Sequence, residues 1–164
     1  MATFTKIASY EASGSVATID ISNIPSTYTD LCIKLSLRVS STDTPVLVTF
    51  NGVTTGYSWR RMYADGSGTN GAQLNDGYFL WAGKSGYTAN AFAACEMYIS
   101  QYSSSLYKAI STESLVENDG TLGEMFMTSA LWANASAINQ ITLTPVTGNL
   151  VQYSTVSIYG ISNK

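Results

Sequence analysis

The sequence predicts an all-β fold, an antiparallel two-sheet sandwich of jelly-roll-like type with about ten short strands. Three observations carry that expectation. Apolar side chains recur at every second position over short segments, the period that sorts a strand's side chains onto opposite faces. Turn-forming Gly, Asn, Asp, Ser and Pro separate those segments. Charged residues make up only 12% of the chain, about half the usual quarter, so the Lys and Glu that normally coat an amphipathic helix are scarce.

In chain order, residues 1–12 read as an N-terminal arm or first strand, and residues 13–164 as a single β-sandwich domain. Ala17, Ile19 and Ile21 alternate with Thr18 and Asp20. From Leu31 to Val39 the pattern is clearest. Leu31, Ile33, Leu35, Leu37 and Val39 point one way, and Cys32, Lys34, Ser36 and Arg38 point toward solvent or a partner. Val46, Val48 and Phe50 end in Asn51-Gly52, a strong hairpin signal. An aromatic segment, Tyr57 to Tyr63, precedes a Gly- and Asn-rich stretch from Asp65 to Asp76 that reads as a long flexible loop. Tyr78, Leu80 and Trp81 mark the next strand, and Ala93, Cys95, Met97 and Ile99 share a face opposite Glu96 and Tyr98. Tyr107 to Leu115 follows. Then Phe126, Thr128, Ala130 and Trp132 alternate with Met127, Ser129 and Leu131. Ile141 and Leu143 lead to Pro145 and a turn at Thr147-Gly148-Asn149, and Val156 and Ile158 oppose Tyr153, Thr155, Ser157 and Tyr159. Helix signals are confined to one turn's worth of chain at Ser22–Thr29 and to weak propensity at Ser111–Glu117, where strand is preferred.

Composition also bounds function. The net charge is −3, which argues against nucleic-acid binding driven by phosphate neutralisation. The chain has no histidine, and so lacks the commonest general base and metal ligand. Cys32 and Cys95 sit in alternating strand patterns and read as buried free thiols. The N-terminal segment lacks the apolar core of a secretory signal, and no apolar run approaches the roughly 20 residues of a membrane span. The expected place of synthesis is the cytoplasm, with no membrane partner. No cofactor, metal or catalytic group is expected. A loop calcium site at Glu117-Asn118-Asp119 lacks the spacing of acidic ligands, and a carboxylate pair drawn from Glu96, Glu113, Glu117 and Glu124 has nothing in the sequence to place it across a cleft. Asn134-Ala135-Ser136 fits the N-glycosylation pattern but is discounted without a secretion signal.

The residues singled out for contact with a protein or a glycan are Tyr57, Trp59, Arg60, Arg61 and Tyr63, together with Trp81. Trp, Tyr and Arg are enriched at interaction hot spots, and aromatic rings also stack on sugars. Against that reading, a strand period puts Trp59 and Arg61 on one side and Arg60 and Met62 on the other, so at least one of these rows packs inside the sandwich.

The stretch from Ile19 to Leu31, with Asn23-Ile24-Pro25 at its centre, resembles the opening of a family of small virion proteins of tailed bacteriophages, cyanophages included. Val48-Thr49-Phe50-Asn51-Gly52, Arg61-Met62-Tyr63-Ala64-Asp65-Gly66, Ser114-Leu115-Val116-Glu117-Asn118, and the end from Ile138 to Pro145 and through Tyr159-Gly160-Ile161 are also similar. The resemblance spans most of the chain. It implies a jelly-roll-like structural protein without enzymatic activity on a phage particle, some members looking like head cement or decoration proteins, and it leaves head or tail open. The low-charge, Ser/Thr/Tyr-rich composition favours a head cement or decoration protein on the outside of the virion. The partners would be the major capsid protein and copies of the chain itself, as a dimer or trimer. It supplies no functional residue. The alternative is a tail-associated adhesion module that binds host-surface glycan through Tyr57, Trp59, Tyr63 and Trp81.

Overall fold

The computed structural model describes residues 3–74, 77–118 and 123–162. Strands β1 (Thr3–Glu11), β2 (Ile19–Ile21), β3 (Asp30–Leu37), β4 (Pro45–Phe50), β5 (Tyr57–Ala64) and β6 (Thr69–Leu74) are followed by β7 (Tyr78–Trp81), β8 (Ala93–Ile99), β9 (Lys108–Glu117), β10 (Gly123–Trp132), β11 (Ile141–Pro145) and β12 (Thr155–Ser162). They form an eight-stranded sheet in the order β1-β12-β3-β8-β9-β10-β5-β6 and a four-stranded sheet in the order β2-β11-β4-β7, and every ladder is antiparallel. The chain is therefore an all-β sandwich.

The strands expected from the alternation are all present, and β1 and β6 are added to them. β1 runs beside β12 as an edge strand, which resolves the arm-or-strand alternative for residues 3–11. The expected loop at residues 65–76 is corrected: Thr69–Leu74 is a strand paired to β5, from Trp59↔Leu74 to Ala64↔Thr69. Ladder hydrogen bonds to β5 outweigh the poor strand propensity of this Gly- and Asn-containing segment. The turn itself is confined to residues 65–68, where the Asp65 carboxylate accepts from the Ser67 backbone N–H (2.9 Å) and hydroxyl (2.6 Å). Those bonds hold its carboxyl down at about 2. The helical turn at Ser22–Thr29 is also corrected. The backbone there is irregular, and it is pinned by Ile24 N–H donating to the Asn139 carbonyl and by the Tyr102 hydroxyl donating to the Pro25 carbonyl.

The core lies between the sheets. Strict alternation in β9 and β10 sends Ile110, Thr112, Ser114 and Val116 inward, along with Phe126, Thr128, Ala130 and Trp132. From the small sheet, Ile19, Val46, Val48, Phe50, Leu80, Ile141 and Leu143 meet them. Rings fill the middle. Phe50 lies 5.3 Å from Trp132, and Tyr57 stacks on Trp132 at 6.0 Å. Aromatic pairs at such separations add to plain area burial.

Asn51-Gly52 forms the expected tight turn, with both residues at positive φ (53° and 69°) and Val53 N–H bonded to the Phe50 carbonyl. The strands it joins are not hairpin partners, because β4 belongs to the small sheet and β5 to the large one. The Tyr57 hydroxyl secures this crossing. It accepts from Phe50 N–H and donates to the Val53 carbonyl, each at 2.9 Å.

Cys32, Lys34 and Ser36 lie on the side of β3 away from the core, as expected, but two members of the row are buried. Cys32 is covered by its neighbours on that outer side, its thiol donating to Glu96. Arg38 is buried as well, with its guanidinium spent on the carbonyls of Tyr87, Thr88 and Ala91. It acts as a clamp on the 84–92 loop. Both cysteines are buried free thiols, as expected.

Candidate functional site

The small sheet covers one face of the large sheet. The opposite face is open, and its side chains follow from the register. One row across the strands runs Lys34, Glu96, Glu113, Met127, Met62. The row beside it runs Cys32, Tyr98, Ser111, Ser129, Arg60, and a further row runs Ser36, Ala94, Leu115, Met125, Ala64. Leu131 stands between Ala109 and Ser58.

Large apolar side chains stand out of this face: Leu115 is 58% exposed, Met62 55%, Met127 44%. Met125, Leu131 and Tyr98 are exposed beside them. Small residues between them leave hollows. One of about 480 Å³ is walled by Lys34, Leu115, Met125 and Met127 above Ala94. Another of about 310 Å³ lies among Arg60, Met62, Met127, Ser111 and Ser129. A third, also about 310 Å³, separates Arg60 from Leu131. Long flexible methionines around shallow hollows suit adaptable protein contacts, and an apolar group of this kind on one face marks an interaction surface.

The face carries few charges. Glu96 and Glu113 stand directly opposite each other, a like-charge arrangement that costs stability. Lys34 relieves it by an ion pair to Glu96. The Tyr98 hydroxyl donates to buried Asp30 (2.7 Å), and that bond holds the phenol up at about 12. Beneath the face, burial pushes the Cys95 thiol up to about 12, so it stays protonated and chemically quiet at neutral pH.

The residues singled out from the sequence divide between the two sides of β5. Tyr57, Trp59 and Trp81 are buried in the core, which corrects their reading as contact residues. Their rings are large, apolar and aligned with the inward row, so packing claims them. Arg61 and half-buried Tyr63 lie on the same inner side. The Arg61 guanidinium carbon sits 4.7 Å from the centre of the Trp81 ring and within 5.7 Å of the rings of Trp59, Tyr63 and Phe126. Burial lowers its pKa, while the ring faces supply a cation–π environment. Trp81 stacks on Phe126 at 4.9 Å with the planes 2° apart. Tyr63 donates to Asp65 (2.8 Å), and burial together with that bond pushes its phenol up to about 12. Arg60 alone among the candidates stands on the open face.

The open-face residues Met62, Met125, Met127, Leu115 and Leu131 were missed as site residues. Their signal was present: β10 carries large apolar side chains on both of its rows. A strand that faces a core on one side and water on the other reads apolar-in, polar-out. Met127 and Leu131 break that rule, so a second apolar row asks for a second cover. Of the carboxylates weighed for acid–base chemistry, Glu113 points outward, whereas Glu124 is half-buried and accepts from the Tyr87 hydroxyl. Asp119, part of the weak calcium motif, lies outside the described residues, as does Asp76. The chain matches no protein-family model and no curated protein.

Proposed function

We propose that the chain is a non-enzymatic structural protein of a phage virion, a capsid cement or decoration protein that binds the outside of the head and stabilises its lattice. The observation that carries this reading is the open face of the large sheet, where methionine and leucine side chains stand around shallow hollows with few charges between them. Such a surface gains free energy when another protein covers it. Its shallow, water-exposed form does not suit chemistry that needs an enclosed, preorganised site. The resemblance of Ile19–Leu31 and the other matching stretches to small virion proteins points the same way.

The mechanism is additive. A head expanded by packed DNA is stabilised by any protein that binds the expanded lattice and not its precursor. Many symmetry-related copies act together, so modest contacts per copy suffice. The competing reading, a glycan-binding tail module, loses most of its stacking platform, because Tyr57, Trp59 and Trp81 are interior.

Purified protein sedimented with expanded empty heads of the phage that encodes it tests the proposal. Saturable co-sedimentation at micromolar concentration, absent with unexpanded precursor heads, is the expected result. Equal recovery in the supernatant with and without heads overturns it.

A further inference from the structure

The open face is complementary to itself in charge and in relief. Outward side chains along a strand repeat about every 6.8 Å, and neighbouring strands lie about 4.8 Å apart. On that lattice Arg60 on β5 and Glu113 on β9 flank β10, one outward step apart, with Thr128 midway between them. Both are exposed. The Lys34 ammonium is engaged by Glu96, and Glu113 makes no ion pair among the described residues. The Arg60 guanidinium donates to the Trp59 carbonyl and pairs with no carboxylate among the described residues. Among the described residues the face thus carries an acid and a base without ionic partners, one on each side of the same strand.

We infer that this face is an isologous interface, covered in solution by the same face of a second copy of the chain. The inference rests on the assembly reading and names the partner at this surface. A two-fold axis lying in the plane between the copies, over Thr128 and bisecting the line from Arg60 to Glu113, sets Arg60 of each copy against Glu113 of the other. The same operation brings Leu131 over Tyr98. It also brings Met127 into the hollow of about 310 Å³ among Arg60, Met62 and Ser129. Knobs meet hollows, as in the interdigitated faces of stacked sheets, and each contact occurs twice, as two-fold symmetry requires. The six strands from β3 to β6 across this sheet present about 700 Å², close to the roughly 800 Å² per partner of a standard stable interface.

Sedimentation velocity of the purified full chain over roughly 1–100 μM tests the inference without heads present. The wild type is expected to be dimeric in that range. Arg60→Glu places like charges together at both symmetric positions and raises the dimer Kd by at least about tenfold. Glu113→Arg does the same. Arg60→Glu combined with Glu113→Arg restores the pairing and returns the Kd to within about threefold of wild type. Both positions are exposed, so circular dichroism of each variant should match the wild type. A wild type that stays monomeric, a trimer, a Kd unchanged by Arg60→Glu, or a double variant no tighter than the single ones overturns the inference. Co-sedimentation with heads is a separate readout. A dimer that ignores heads removes the cement reading and keeps the interface, and a monomer that binds heads does the reverse.

Discussion

Gly160 lies on β12 where the Tyr28 ring rests directly on the backbone. A Cβ built there falls inside the van der Waals envelope of that ring, with three ring atoms its nearest neighbours. The ring is held over the strand because its own backbone is tied down, the Tyr28 carbonyl accepting from Ser103 and Thr29 N–H donating to Ile161. Gly160→Ala should therefore lower unfolding free energy by about 1–3 kcal/mol, the usual cost of overpacking. Urea titration should show a lower midpoint at an unchanged slope, and an unaltered midpoint would mean that the ring moves away freely. Buried polar residues follow the same logic of local satisfaction. Lys108, with no exposed surface, is spent on the carbonyls of Ser104 and Leu106, and burial lowers its pKa. None of these roles could be read from residue type, since a lysine or arginine in a strand looks the same whether it reaches water or a carbonyl.

At the scale of elements, alternation made the strands legible wherever one face is core. In β10, Phe126, Thr128, Ala130 and Trp132 share one face, as their alternation with Met127, Ser129 and Leu131 predicts, and that face is the core. Alternation was silent on β6, whose Thr69-Asn70-Gly71-Ala72 carries no apolar row and is a strand only because β5 lends it hydrogen-bond partners. It was silent too on which sheet a strand joins. Asn51-Gly52 announced a turn correctly, yet the chain leaves it for the opposite sheet. Besides the Tyr57 hydroxyl, Asn51 itself holds this crossing. Its side-chain amide donates to the Ala137 carbonyl (2.8 Å), and its oxygen accepts from the N–H groups of Asn139 (2.9 Å) and Gln140 (3.2 Å). Asn51→Ala strands those groups and also removes a residue suited to φ 53°. We expect a loss of about 2–3 kcal/mol by thermal or urea unfolding, and a loss below about 0.5 kcal/mol would show the crossing to be held elsewhere. The exposed edge β1 carries its own safeguard. A register shift between Lys6 and Ala8 interrupts its ladder, and Lys6 beside it is exposed; such breaks and charges discourage edge-to-edge pairing.

The whole molecule combines a conventional interior with an exterior low in charge. Low charge density weakens repulsion between copies, and the open face concentrates the exposed methionines. The sequence pointed to Tyr57–Tyr63 and Trp81 because residue type dominated that reading, and the burial of those rings follows from their inward register. The open face was legible only in the second apolar row of β10, whose meaning depends on β5 and β9 lying beside it with Met62 and Leu115. Methionine oxidation footprinting by mild peroxide, read residue by residue in dilute free protein and in assembled particles, tests the central claim that this face is a covered contact surface. Met97, fully buried in the core, is the internal reference for an intact fold. Met62, Met125 and Met127 should oxidise readily in chain diluted below the dimer Kd and become protected at least about tenfold in the particle, with Met97 protected in both. Ready oxidation of the three exposed methionines to the same extent in both states, with Met97 still protected, would show that the face is left uncovered.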